Sequence, residues 1–206
     1  MLALIDAAAT DRHTYPDEDV HMRRGIVKTM LEEYLPLSIL AANLPAAVSG
    51  RLLAQSNAGA DAVLELNDPA FPSELRVQIT VADQDHQEAL VREKISQGAM
   101  VFRNTVKKRS GNDPAVIEEH GRVLTTPKAR AQGRAAMIIA AFDRKVRKYR
   151  LGTDALLIHV SGVVHSTHDF SWSTHITQAI QQRSSNPYKW VFVSCSPSTL
   201  LTVVRP

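Results

Sequence analysis

Six side chains between residues 61 and 80 have the types and spacing for joint chemistry: the carboxylates of Asp61, Glu65 and Glu74, the Arg76 guanidinium, the Gln78 amide and the Thr80 hydroxyl. They lie in DAVLELNDPAFPSELRVQITV, residues Asp61 to Val81, where two alternating runs flank a Pro-rich turn. A strand sends successive side chains to opposite faces, so the period-two pattern puts this polar set on one face. Ala62, Leu64, Leu66, Leu75, Val77, Ile79 and Val81 fall on the other. Asn67-Asp68-Pro69 and Pro72-Ser73 are turn formers, which predicts a hairpin. With the turn centred between Pro69 and Ala70, Asp61 lies across from Gln78, Val63 from Arg76 and Glu65 from Glu74. Opposed neighbours sit roughly 5 Å apart, while Glu74 lies roughly 13 Å along the strand from Gln78 at about 3.3 Å per residue. Carboxylates beside a polar or basic group suit a hydrolytic divalent-metal site, where the acids hold the ion and the ion activates water. The same pattern also marks the solvated outer face of an antiparallel hairpin. Residue types alone leave both readings open.

The second feature is basic. Thr126-Pro127 opens a helix predicted to run to about Tyr149, with Thr126 as cap and Pro127 at the first helical position. Ala135, Ile138, Ile139, Phe142, Val146 and Tyr149 form its apolar stripe. Arg134, Lys145 and Lys148 are among the cations on the remaining positions, and Lys107-Lys108-Arg109 makes a basic loop upstream. Cations neutralise phosphates, and this attraction supplies most of the affinity in non-specific nucleic-acid binding. The competing reading is an ordinary solvated helix face. Aromatic residues are only 5% of the chain, which argues against a stacking platform for single strands.

Other groups carry less. His165 and His168 have a short metal-ligand spacing and Asp169 adds an oxygen, but they fall in an expected loop without a cysteine partner. His159 sits in an apolar run and reads as a core residue. Cys195 ends an apolar strand and reads as a small buried side chain. Neither a Gly-rich phosphate loop nor a GxSxG elbow is present in the sequence.

These residues need elements to position them. Pro16 with Asp17, Glu18 and Asp19 reads as a helix start. Ile26, Met30, Tyr34 and Leu37 continue the helical spacing, and Pro36 is expected to break or kink the helix. A second helical piece is expected over 46–55. After the hairpin, 83–97 reads as a helix, 99–103 as a short strand, Val116 to Glu119 as a brief helix and the segment around Leu124 as a brief strand. DALLIHV, Asp154 to Val160, suits a buried central strand. Residues 174–183 read as a helix, 189–194 as a strand and 199–204 as an edge strand. Strand and helix alternation predicts an α/β fold: a mixed central sheet flanked by helices on both faces.

The chain has 206 residues and a formal net charge of +3. That length predicts one domain, with 1–56 as an N-terminal helical segment and 57–206 as the α/β core. A single cysteine excludes an intrachain disulfide and fits a reducing cytoplasm. The start MLALIDAAATDR lacks a basic region and is interrupted by Asp6, so no secretory signal is expected. No apolar run approaches the roughly 20 residues that span a bilayer, so no membrane partner is expected.

The order of a helix with Glu32 or Glu33, the Asp61 strand, the Glu74-to-Thr80 strand, helix, strand, helix and strand resembles the restriction-endonuclease-like, PD-(D/E)xK, nuclease superfamily. The resemblance covers about residues 20 to 195 by order of elements. It implies a restriction-endonuclease-like core that binds DNA and, if active, hydrolyses phosphodiesters with Mg²⁺. In that reading Asp61 and Glu74 hold the metal, Gln78 orients water or phosphate, and Glu33 assists. Arg76, Arg134, Lys145, Lys148, Lys107 and Lys108 contact the nucleic-acid backbone. Gln78 stands where the family has Lys, and Arg76 where it has the second acid. The departure leaves open a protein that kept the fold and lost cleavage, or an α/β adaptor whose polar hairpin face and basic helix are interaction surfaces.

Overall fold

A computed structural model of the chain describes residues 28–44, 47–53, 59–82, 106–107, 116–117, 126–149, 151–160, 171–195 and 199–204, with backbone alone for 48, 106–107, 116–117 and 199–204. The chain divides into two compact units, one of residues 1–29 with 84–122 and one of 30–83 with 123–206. The expected helix over 83–97, the strands over 99–103 and around Leu124, and the His165–His168–Asp169 group lie outside the described residues.

The second unit starts with a π-helical turn, Met30–Tyr34, which runs into helix α1, Leu35–Asn43. The interruption expected at Pro36 takes the form of the π-helical turn just ahead of it, and regular α-helix begins at Leu35, next to Pro36. Pro36 occupies the first turn of α1, where no intrahelical N–H is required. Ser38 sits among apolar residues by donating its hydroxyl to the Leu35 carbonyl at 2.8 Å.

The expected helix over 46–55 is a strand, β1, Ala47–Leu52. It pairs antiparallel with β2, Ala62–Leu66, through Gly50↔Leu64 and Leu52↔Ala62. Gly50 accounts for the outcome in two ways. It weakens a helix, and an added Cβ there would come within 2.7 Å of Leu64 Cδ2. β2 pairs antiparallel with β3, Glu74–Val81, in the register read from the alternation: Val63↔Arg76 and Glu65↔Glu74.

In the first unit, β4, Val106–Lys107, pairs antiparallel with β5, Val116–Ile117. The basic loop expected at Lys107 therefore begins as strand, and the brief helix expected at Val116 is strand as well. The β-branched residues Val106, Val116 and Ile117 suit a ladder better than an isolated helical turn.

Back in the second unit, helix α2 spans Pro127–Arg147, and the Thr126 side chain accepts from the Ala129 N–H at 3.1 Å. Gly152, with φ +84°, makes the turn into β6, Ala155–Val160. Helix α3, Trp172–Gln181, is capped by Ser171 and leads to β7, Trp190–Cys195, and β8, Thr199–Val204. The sheet order is β1-β2-β3-β6-β7-β8, with β3, β6 and β7 parallel and the outer pairings antiparallel. The architecture is thus α/β with a mixed sheet.

Two apolar layers cover the sheet. On one face Leu37, Leu40 and Leu44 of the α1 region pack on Leu64, Leu75, Val77, Ile79 and Leu157. On the other, Ile138 and Phe142 of α2 and Ile176 and Ile180 of α3 pack on Leu156, Ile158, Val191 and Val193. His159 and Ser194 are buried and bond each other, Nδ1 to Oγ, at 3.0 Å. His159 and Cys195 are core residues, as their apolar strands predicted.

Candidate functional site

The alternation of β3 decides what lies under α2. Leu75, Val77 and Ile79 belong to the α1-side layer, so Arg76, Gln78 and Thr80 point to the α2 side. This polar row is not uniformly wet. Glu74 is exposed, Arg76 half-buried, and Gln78 and Thr80 are buried. The hairpin face therefore has a solvated end and a covered end.

Asp61 marks the covered end. It immediately precedes β2, and its N–H donates to the Val77 carbonyl at 2.9 Å, extending the ladder toward Gln78. Its Oδ2 accepts from the Ile79 N–H at 2.7 Å. The same oxygen lies 3.8 Å from Lys145 Nζ, arriving from the last turns of α2. The Asp61 and Lys145 side chains are 29% and 20% exposed, so the pair is open to solvent on one side. Beside it, Arg144 reaches back over the end of β3, with Nη2 3.5 Å from Thr80 Oγ1 and 3.4 Å from the Val81 carbonyl.

Tyr188 closes the floor. It is fully buried ahead of β7, and its hydroxyl donates to Gln78 Oε1 at 2.6 Å. The Lys145 carbonyl lies 3.3 Å from the same hydroxyl. The Tyr149 ring meets the Tyr188 ring edge-on, with centroids 5.2 Å apart. Burial chiefly, then Tyr149 and Asp61, push the Tyr188 phenol pKa well above its ordinary value, so it stays a protonated donor. Burial pushes the Cys195 thiol up to about 11, while Arg134 pulls it the other way.

The sequence-named residues thus separate. Asp61, Gln78 and Lys145 come together, with Arg76 two residues before Gln78 on the same face. Glu74 does not join them, because it pairs with Glu65 at the far end of the hairpin. Glu65 there accepts from the Ser49 hydroxyl at 2.6 Å. Glu33 lies half-buried in the π-helical turn ahead of α1. Arg134 is half-buried in α2 and lies near enough to Cys195 to pull its thiol down. Lys148 is exposed just past α2. Lys107 belongs to the other unit, and Lys108 lies outside the described residues.

Thr80 joins the corner from the polar row of β3, as read from the sequence, while Arg144 and Tyr188 complete it without having stood out there as its members. Arg144 is one of many cations on its helix. Tyr188 is 110 residues from Gln78, and only its isolation ahead of an apolar strand marks it.

The donor set does not match Mg²⁺. Asp61 offers a carboxylate at this corner, and its Oδ2 already faces an N–H and an ammonium. The Gln78 carbonyl is taken by Tyr188. No group of three His, Cys, Asp or Glu gathers among the described residues. A hard divalent ion needs about six oxygen ligands, some of them water, and the described donors do not supply that environment. Among the described residues no helix is long and apolar enough to cross a membrane. Comparison with protein-family models, curated proteins and solved structures gave no match to this chain.

Proposed function

We propose that the chain is a nucleic-acid-binding protein with a restriction-endonuclease-like core and DNA as its ligand. The observation that carries this reading is the Asp61–Lys145 pair: the acid ahead of β2 sits beside the C-terminal end of the basic helix α2. Support also comes from the elements that the resemblance names, which occur in the order α1, β2, β3, α2, β6, α3, β7, with β1, β4 and β5 additional to them. Lys145 and Arg144 flank the half-open corner. Arg147 and Lys148 follow them in exposed positions. Such a cluster suits the phosphate backbone and makes affinity fall with salt.

Mg²⁺-dependent phosphodiester hydrolysis is the second reading, favoured by Asp61 at the start of β2 and Glu33 ahead of α1. It needs a further oxygen ligand beside Asp61.

A duplex-binding titration across a salt series, run beside a plasmid cleavage assay with Mg²⁺ or Mn²⁺, tests both. Salt-sensitive binding without cleavage is expected. Cutting that is lost in Asp61→Ala would move the conclusion to the hydrolase. Absence of DNA binding at low salt would sink the nucleic-acid reading.

A further inference from the structure

The geometry points to the corner between β3 and α2 as a direct phosphate-binding site, in which the Lys145 ammonium and the Gln78 amide N–H groups take the phosphate oxygens with no metal ion between. This rests on the nucleic-acid reading and specifies how that site holds its ligand.

Hydrogen-bond polarity decides what this corner can hold. Gln78 is 2% exposed, so its amide orientation is fixed by what surrounds it. Tyr188 donates to Oε1 at 2.6 Å. A protonated phenol in that position commits the Gln78 carbonyl as acceptor and leaves Nε2, with two N–H groups, for the other side. No protein acceptor among the described residues meets Nε2. Lys145 adds an ammonium and Arg144 a guanidinium at the same corner. The corner therefore offers mainly donors. Phosphate oxygens are acceptors only, whereas a divalent cation needs acceptors.

Asp61 fits this scheme as a positioning residue. Its carboxylate is held by the Ile79 N–H and in turn holds Lys145. The ammonium occupies ground that a divalent ion bound to Asp61 would need. Gln78 is thus the specificity determinant. A carboxylate at this position would keep the Tyr188 bond, lose the donors and place a second acid cross-strand from Asp61.

The experiment uses the full chain and three probes: a short DNA duplex in EDTA, inorganic phosphate alone, and Mn²⁺ alone followed by electron paramagnetic resonance. Wild type is expected to bind the duplex in EDTA and to bind phosphate, and to show no stoichiometric Mn²⁺ site. Lys145→Ala is expected to weaken duplex binding about tenfold, as for loss of one charge-assisted bond, and to lower the log–log salt slope by about one. Gln78→Glu is expected to lose phosphate and gain a Mn²⁺ site. Lys145→Gln, at a one-fifth exposed position, keeps the test open whatever a buried new carboxylate does to folding.

Duplex binding that requires a divalent ion, or a wild-type Mn²⁺ site lost in Asp61→Asn, overturns the proposal while leaving the nucleic-acid reading intact. Phosphate binding that depends on Lys145, without any DNA binding, upholds the site and removes the nucleic-acid reading. Absence of phosphate binding together with absence of duplex binding overturns both.

Discussion

The Asp61 carboxylate accepts the Ile79 N–H at 2.7 Å and so ties the start of β2 to the middle of β3 by a side chain. The same oxygen faces Lys145. One atom thus serves both the sheet and the site, and two substitutions separate the roles. Asp61→Asn keeps an acceptor for Ile79 and removes the charge. Its stability should stay within about 1 kcal/mol of wild type, the usual net worth of a hydrogen bond. Its duplex affinity in EDTA should fall, because the charge that holds Lys145 in place is gone. Asp61→Ala strands the Ile79 N–H and should cost about 1–2 kcal/mol in urea denaturation. An unchanged affinity in EDTA for Asp61→Asn would mean that Asp61 does not position Lys145 for the phosphate.

Gly50 gives a packing prediction. A Cβ there would meet Leu64 Cδ2 at 2.7 Å and Leu37 Cδ2 at 3.9 Å. Both are ends of flexible side chains, so the clash can relax. Gly50→Ala should destabilise by about 1 kcal/mol, the low end for overpacking. Leu64→Val in the same chain removes the obstructing atom. The double-mutant cycle should then show the two changes costing less together than their sum. Additive costs would mean that β1 shifts as a whole.

A third prediction concerns alkaline pH. The Cys195 thiol has an ordinary value of 9.0 and is pushed up to about 11 by burial in the fold. Below pH 9 the thiol is protonated in both folded and unfolded chains, and its contribution is fully present. Between about pH 9 and 11 the unfolded chain releases this proton and the folded chain keeps it, so stability falls as pH rises. Tyr188 works in the same direction from above pH 10. Urea midpoints measured at steps through this range should decline in wild type. The Cys195→Ala decline should be shallower between pH 9 and 11. Identical slopes would mean that Cys195 carries no share.

The hairpin was legible because its alternation is strict and its turn residues are unambiguous. Together these fix the register to Val63↔Arg76 and Glu65↔Glu74. Helix α2 was legible from Thr126-Pro127, which caps it as expected. β1 was not, since AVSGRL is six residues long and carries no alternation that separates it from a helix end. The partner that makes it a strand is β2. The site divided along the same line. Asp61 and Gln78 follow from local register. Lys145 reads from sequence as a phosphate contact, but nothing local says that it reaches Asp61. Tyr188 is a long-range contact in the sheet's other half, and only the assembled fold brings it under Gln78. Glu74 was misplaced for a simpler reason: sharing a face is not sharing a site when four residues separate two side chains along a strand.

Both tryptophans of the chain, Trp172 and Trp190, belong to the unit of residues 30–83 and 123–206. Trp172 is buried against α2 and the sheet, and Trp190 lies 5.4 Å from the Phe71 ring. Intrinsic fluorescence excited at the indole band is therefore a reporter of the sheet unit alone. The unit of residues 1–29 and 84–122 is optically silent in that channel. Far-ultraviolet circular dichroism averages over both. A melt followed by the two signals separates the units without a label: coincident curves mean that they unfold together, and an extra dichroism transition belongs to the silent one.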